Sequence, residues 1–455
     1  MKRMRAMLCG VLAALMLAGC GGVEVITCQS ERPAPAADLT QYAVREAAYP
    51  VFPKEPVYED YIDENGEGDW DAYDAAYSEY REALQKLGKG ERPDDSAVRR
   101  FANQTAAEIF TGRENTVYSP ISLYAALGML TELTDGETRQ QVMDLLGAAD
   151  TEALRQQINR LWISAYQDGD AVCRLANAAF AREDADVKQA AVDALAEWYF
   201  ASSYRVPMGT EEADEAIASW LNQQTGGLLS EETGNIHTEE ENLLRLYNTI
   251  YYKAGWLNAF ESGQTGTDTF TAADGSKQQV DFMHRTGEGT YRKGEGYTAA
   301  PRRLKYGRMV FVLPDEGVTP ESLLARDGFL TELTGEYSMA DVVWSVPRFD
   351  VKSSVDLKDI LKALGVTDAF DENVADFTPL TDSGAVVSSV MQAARVKIDE
   401  EGVEAAAYTE IVAADSGPME LPPVVEMNLN RPFLFAIFDG NDVPLFIGTV
   451  QTMEG

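Results

Sequence analysis

Histidine and cysteine, the side chains most often recruited for chemistry near neutral pH, are scarce in this sequence. His237 and His284 stand 47 positions apart, and no Gly-x-Ser-x-Gly elbow offers either of them a serine nucleophile. A surface hydrolase built on a Ser/His pair therefore has little to draw on. The four cysteines, Cys9, Cys20, Cys28 and Cys173, form no Cys-x-x-Cys pair, so the inventory argues against a zinc site. No cofactor is called for. The stretch from Glu400 to Met419 is better suited to being acted upon than to acting. From Val403 it alternates: Val403, Ala405, Ala407, Thr409, Ile411 and Ala413 share one face of a strand, and Glu404, Ala406, Tyr408, Glu410 and Val412 share the other. That is the pattern of a half-buried strand. Yet the run starts at Gly402 and ends in Asp415-Ser416-Gly417-Pro418, a turn signature, and its alanines give it little local preference. An edge strand and an exposed Ala-rich loop both fit these residues.

A second cluster, Asp63-Glu64-Asn65-Gly66-Glu67-Gly68-Asp69-Trp70-Asp71-Ala72-Tyr73-Asp74, has the spacing of oxygen ligands around a calcium ion, with glycine at the sixth position. Glu67 is long for its place, and Asp74 stands where a bidentate Glu is expected. The preferred reading is a solvated acidic turn before an amphipathic helix carrying Tyr73, Tyr77, Tyr80 and Leu84, with calcium binding as the second. Over the whole chain 74 acidic side chains face 38 basic ones, a formal charge of −36, which argues against a nucleic-acid partner. The 45% hydrophobic content is that of a globular chain with a sizeable core.

These segments need positioning. Lys2, Arg3 and Arg5 precede a short apolar run from Ala6 to Leu17, followed by Leu17-Ala18-Gly19-Cys20. The run is similar to a bacterial lipobox, which implies a signal peptide over 1–19, cleavage before Cys20 and lipidation of its thiol. An ordinary secretory signal is the other reading. Loss of Cys9 and lipidation of Cys20 would leave only Cys28 and Cys173 to pair, so a disulfide framework is not expected. The mature chain is expected outside the cytoplasm, anchored to the cell envelope by lipid and not spanning the membrane. Pro33, Pro35, Pro50, Pro53 and Pro56 mark residues 20–57 as a tether. Residues 58–93 form the acidic Tyr/Trp-rich extension, and 94–455 the main domain.

The main domain opens with a helix capped by Asp95 or Ser96, with Val98, Phe101, Ala102, Thr105, Ile109 and Phe110 on one stripe. Asn115 to Tyr118 then read as a short strand, Ser119-Pro120-Ile121-Ser122 as a helix start, and Gly136-Glu137-Thr138 with Gln141 as a second capped helix. Later come Ile217-Ala218-Ser219-Trp220-Leu221, Tyr247-Asn248-Thr249-Ile250-Tyr251-Tyr252-Lys253-Ala254-Gly255-Trp256 and Val346-Pro347-Arg348-Phe349. Glu400-Glu401-Gly402, Asn430-Arg431-Pro432-Phe433 and Leu445-Phe446-Ile447-Gly448 follow. Each block alone is any helix start or buried strand; in this fixed order they resemble the serpin family over about residues 94–455. The resemblance implies an α+β serpin fold: a large central mixed or antiparallel sheet with packed helices, further small sheets and an exposed reactive loop.

It also implies a function. Serpins offer that loop as bait to a serine, or sometimes cysteine, protease; after attack on the scissile bond the loop enters the main sheet and traps the acyl-enzyme. By resemblance the hinge is Glu400, Glu401, Gly402, Val403, Glu404, Ala405, Ala406 and Ala407. The sheet-opening region is Ser119, Ser122, Asn248, Trp256 and Gln392, where Gln392 replaces a histidine usual in the family and is expected to bond towards Asn248 and the Ser119/Ser122 segment. Spacing from Gly402 places the scissile bond between Ser416 and Gly417; spacing back from Pro432 favours a cut after Pro418 or Met419, before Met419 or Glu420. No Lys or Arg lies between Gly402 and Glu426, which disfavours a trypsin-like target and suits elastase- or subtilisin-like proteases. A monomer that is an inhibitor and not an enzyme is the expectation. A serpin serving only as substrate or binding scaffold is the alternative, and nothing in the strand-rich C-terminal half suggests a solute-binding protein.

Overall fold

The computed structural model describes residues 38–63, 66–89, 94–229, 234, 236–388, 390–403 and 422–453. The leader with Cys20, the hinge from Glu404 to Ala407 and the scissile candidates Ser416 to Glu420 lie outside the described residues. In chain order the strands are β1 (Ala43–Arg45), β2 (Thr116–Tyr118), β3 (Gln167–Asp168), β4 (Val172–Arg182), β5 (Ala201–Val206), β6 (Leu244–Gly255), β7 (Gly266–Thr271), β8 (Lys277–Gly294), β9 (Tyr297–Arg303), β10 (Arg308–Pro314), β11 (Ser338–Pro347), β12 (Phe349–Asp356), β13 (Met391–Ile398), β14 (Gly402–Val403), β15 (Val424–Asn428), β16 (Phe433–Phe438) and β17 (Pro444–Val450). The helices of the first half are α1 (Trp70–Leu87), α2 (Asp95–Ile109), α3 (Pro120–Leu133), α4 (Gly136–Leu146), α5 (Thr151–Ala165), α6 (Gln189–Trp198) and α7 (Glu211–Gln224).

The main sheet runs β1-β5-β4-β6-β14-β13-β12, with β3 on β4. It is mixed, because β4 and β5 are parallel while β4 and β6 pair antiparallel from Val172–Lys253 to Ala181–Leu244. A second sheet runs β15-β11-β8-β9-β10-β16-β17-β2. The sequence suggests several small sheets here; β8 joins them into one, since its 18 residues pair β7 and β11 along one part and β9 along the other.

Helix α3 sits at the centre and is buried on nearly every side. Pro120 fits its first turn because a helix start has no use for that N–H, and the Ser119 hydroxyl accepts the Ser122 N–H at 3.3 Å. Gly128 lets α5 approach, for a Cβ there would lie 1.9 Å from Ile158 Cδ1. Helix α2 is capped by Asp94, one residue ahead of the expected candidates, its carboxylate accepting the Ser96 N–H at 3.0 Å. In the acidic extension the Asp63 carboxylate accepts the Glu67 N–H at 2.8 Å, and Asp69 caps α1 through the Ala72 N–H at 3.0 Å. Both are turn and cap contacts. Among the described residues no three His, Cys, Asp or Glu side chains converge as metal ligands would.

Residues 38–57, the described part of the segment read as a tether, lie against the domain. Ala43 pairs with Tyr204 at the edge of the main sheet. Tyr49 stacks on Trp162 at 5.3 Å between ring centroids, and Phe52 stacks on Tyr166 at 3.9 Å. Prolines stop this stretch from forming a helix but leave its aromatic rings free to dock. Phe52→Ala should therefore destabilise the fold by about 1–2 kcal/mol, less than a fully buried ring would. Chemical denaturation compared with the unsubstituted chain measures it.

Candidate functional site

The hinge emerges from a hairpin. Ile398 at the end of β13 pairs with Val403 of β14, and Asp399-Glu400-Glu401-Gly402 makes the turn. The Asp399 carboxylate accepts the Glu401 N–H at 2.9 Å and the Gly402 N–H at 3.2 Å, and the Asp399 N–H donates to the Gly402 carbonyl at 3.0 Å. An Asx-type turn thus sets the reversal. Beyond it Gly402 pairs with Gly255 and Val403 with Ala254 of β6. Two residues of the alternating stretch are already a strand inside the main sheet, and Val403 is 3% exposed.

Backbone and side-chain contacts fix this turn from both sides. The Trp256 N–H donates to the Glu401 carbonyl at 2.8 Å, the Phe260 N–H to the Glu400 carbonyl at 2.9 Å, and the Trp256 indole N–H to the Asp399 carbonyl at 2.9 Å. The Glu400 carboxylate receives the Arg348 Nε–H at 3.0 Å and the Thr265 hydroxyl at 2.5 Å. Burial works against its ionisation, but the bonds from Arg348 and Thr265 outweigh that and hold its pKa below the usual glutamate value. Arg348 in turn also contacts the Asp281 carboxylate at 3.5 Å.

Below the two-residue strand no ladder joins β6 to β13 among the described residues. A solvent-open, mostly apolar cleft of about 1050 Å³ lies there, lined by α3 residues such as Ser122 and Leu127, by Leu246 and Asn248 of β6, and by Phe377 and Gln392. Gln392 clamps Ser119: its carbonyl accepts the Ser119 N–H at 2.9 Å and its amide donates to the Ser119 carbonyl at 3.0 Å. The expected link from Gln392 to Asn248 is not made. The Asn248 amide donates to the Asn177 side chain, whose own amide donates to the Tyr199 carbonyl. The Asn248 side-chain carbonyl and the Thr249 hydroxyl are buried without a partner. Ser119, Ser122, Asn248 and Gln392 are thus gathered around one cleft, while Trp256 belongs to the hinge turn above it. Asp399, Arg348 and Thr265 were missed from the sequence; the run Asp399-Glu400-Glu401-Gly402 before an alternating segment was the turn signal for the first.

A two-residue strand seeded between β6 and β13 above an open apolar cleft is the arrangement a strand-accepting sheet requires. The model of the family "Serpin (serine protease inhibitor)" matches residues 96–453. The chain belongs to the serpin family. Serpin-Z1A of Triticum aestivum is 29% identical over 374 residues, covering 77% of this chain and 93% of the relative. Neuroserpin of Mus musculus is 27% identical over 398 residues, covering 82% and 95%. Among solved structures, the native thermophilic serpin tengpin superposes with a TM-score of 0.72 at 23% identity, covering 81% of this chain and 98% of that one. A thyroxine-binding globulin complexed with thyroxine gives 0.70 at 24% identity, covering 79% and 99%. These structural likenesses carry the serpin fold.

The Glu400–Arg348 pair gives a pH-dependent test. A carboxyl whose folded pKa is depressed contributes stability in full above its unfolded value, here 4.5, and loses it as pH falls through the lower folded value. Arg348→Met should cost about 1–2 kcal/mol at pH 7, discounted because Arg348 is half exposed. The difference from the unsubstituted protein should shrink as pH falls below that value; denaturation midpoints at pH 7 and at pH 3.5–4 measure it.

Proposed function

We propose that this serpin is an inhibitory suicide substrate for a serine protease of elastase- or subtilisin-like preference, with Val403–Ala407 as the segment that enters the sheet first. The observation that carries this reading is the register of β14. Val403 faces Ala254 on one side and Ile398 on the other. Were the loop to enter and continue that register along both neighbours, Ala405 would fall between Tyr252 and Val396, Ala407 between Ile250 and Ala394, and Thr409 between Asn248 and Gln392. The residues that would arrive on the buried face after Val403 are small, Ala405 and Ala407, before Thr409. The first hydroxyl among them, that of Thr409, would then come opposite the Asn248 carbonyl that lacks a donor. Proline, which would break a central ladder, is absent from Gly402 to Gly417.

In this reading the protease serine attacks a carbonyl between Ser416 and Met419 and forms an acyl-enzyme. The freed loop continues β14 downward, and the outcome is a race between insertion and hydrolysis. The chain contributes no nucleophile, acid or base to the cleavage; it contributes a destination for the loop. Lipidation at Cys20 would hold this trap at the cell envelope, where extracellular proteases act.

Incubation with pancreatic elastase and with subtilisin should yield a covalent complex stable in SDS. Cleavage without complex would instead make the chain a substrate or scaffold. Val403→Arg should shift the partition towards cleavage by about tenfold or more, because a guanidinium would not stay in the buried place Val403 already holds, so insertion would have to begin by burying it, and each 1.4 kcal/mol of added barrier slows insertion tenfold. Mass analysis of the released C-terminal fragment fixes the scissile bond. For localisation, Cys20→Ser should move the protein from the detergent phase to the aqueous phase on Triton X-114 partition of expressing bacterial cells; unchanged partition overturns the anchor.

A further inference from the structure

Behind the hinge turn, on the side away from the cleft, lies an arginine without an acid. Arg302, in β9, is 8% exposed. Its guanidinium packs against the rings of Phe260 at 4.0 Å, Trp256 at 5.2 Å and Trp344 at 5.4 Å. One terminal nitrogen donates to the Asn258 carbonyl, and Nε is buried with no acceptor. Arg285 stands close enough to repel it and donates one N–H to the Ala259 carbonyl at 3.0 Å. Burial, with Arg285 beside it, pushes the Arg302 pKa down to about 9.

Arg285, Arg302 and Arg303 line one open cleft of about 1370 Å³, and among the described residues none of the three forms an ion pair. Glu288 is the one acid on its wall and makes no bridge to them. Gly287 leaves the wall open, since a Cβ there would meet nothing within 4 Å. Trp344, Pro301 and the exposed side chain of Met339 supply an apolar flank.

A buried cation is costly unless paired, and ring faces repay only part of that cost. In a chain with nearly twice as many acids as bases, a carboxylate could readily have been placed beside Arg302. A planar guanidinium with free N–H groups at the wall of a cleft is suited to an oxyanion, and a second beside it adds to the field. From this we infer that the cleft walled by Arg285, Arg302 and Arg303 binds a small organic oxyanion. Its carboxylate or phosphate head lies against the guanidinium groups and its apolar body lies along Met339 and Pro301. The site is separate from the insertion cleft and does not depend on the protein being inhibitory.

The test uses the full mature chain and two probes, inorganic phosphate for the head alone and 4-phenylbutyrate for head and body together. Binding is followed by tryptophan fluorescence, with Trp256 and Trp344 at the site, and by thermal shift against sodium chloride of equal ionic strength. The expected result is a saturable response to 4-phenylbutyrate below about 10 mM, tighter than to phosphate. Arg285→Gln and Arg302→Leu should each weaken it by about tenfold or more, as loss of a charge-assisted contact does. If Arg302→Leu fails to fold, Arg285→Gln, at a half-buried position, decides. No response beyond that of sodium chloride, or wild-type affinity in the folded variants, overturns the proposal.

Discussion

A strand in the interior of a sheet must be hydrogen-bonded on both edges, and between β6 and β13 that place is filled, among the described residues, by the two residues of β14 only. Gly402 and Val403 are held between β6 and β13, and directly below them no ladder joins those two strands among the described residues. The rest of the molecule can be understood as what keeps that incomplete strand in place. The Asp399 turn fixes its direction, Trp256 and Phe260 hold the turn's carbonyls, and Glu400 ties it to Arg348 and so to the strand pair beyond. Underneath, α3 offers an apolar floor and Gln392 holds the start of that helix through Ser119.

The energetics of extending β14 are finely balanced. Each added residue costs about 1–2 kcal/mol in backbone entropy and returns a net ~0.5–1.5 kcal/mol per hydrogen bond. Alanine side chains contribute little burial, so the loop's own residues do not decide the sign. The sheet contributes the remainder. The partnerless Asn248 carbonyl and Thr249 hydroxyl are buried polar groups of the kind that cost about 1–3 kcal/mol each. The walls of the cleft are mostly apolar and are not covered by a strand among the described residues. A strand arriving in register would cover the walls and bring a hydroxyl to Asn248. In the proposed reading, the drive for insertion would thus lie in defects of the sheet, the partnerless Asn248 carbonyl and Thr249 hydroxyl, which sit where a strand would end them.

Parts of this were legible in the sequence. Ser119-Pro120 marked the start of α3, because capping is a local property that residue types encode; of the alternation from Val403 onward only Val403 lies among the described residues, and it is buried as the period expects. The blocks in fixed order gave the family. Contacts between distant segments were less legible. Gln392 was expected to reach Asn248, but the side chain's two groups are both satisfied by the backbone of Ser119, and Asn248 finds Asn177 instead. Nothing in the residue types distinguishes those pairings; the offset of β6 against β4, which sets Asn248 opposite Asn177, does. Residues 38–57 were read as a tether from their prolines, which speak to helix content and not to whether Tyr49 and Phe52 find a surface. Arg302 gave no signal at all, since an arginine in the run Pro301-Arg302-Arg303 suggests an exposed edge until the strand direction turns it inward.

Trp256 connects the two halves of this picture. Its indole N–H holds the Asp399 carbonyl, so its position is part of the hinge turn, and the face of its ring lies against the Arg302 guanidinium. A large rigid side chain can serve both ends because its polar edge and its π face are independent contact surfaces. A tilt of the ring would lengthen its bond to Asp399, and the Trp256 backbone N–H is itself bonded to the Glu401 carbonyl. The charge behind the ring and the turn before it therefore share one rigid element. A chain that needed only to fill this space could have used leucine on both sides; tryptophan instead joins the hinge turn and the Arg302 guanidinium through one side chain.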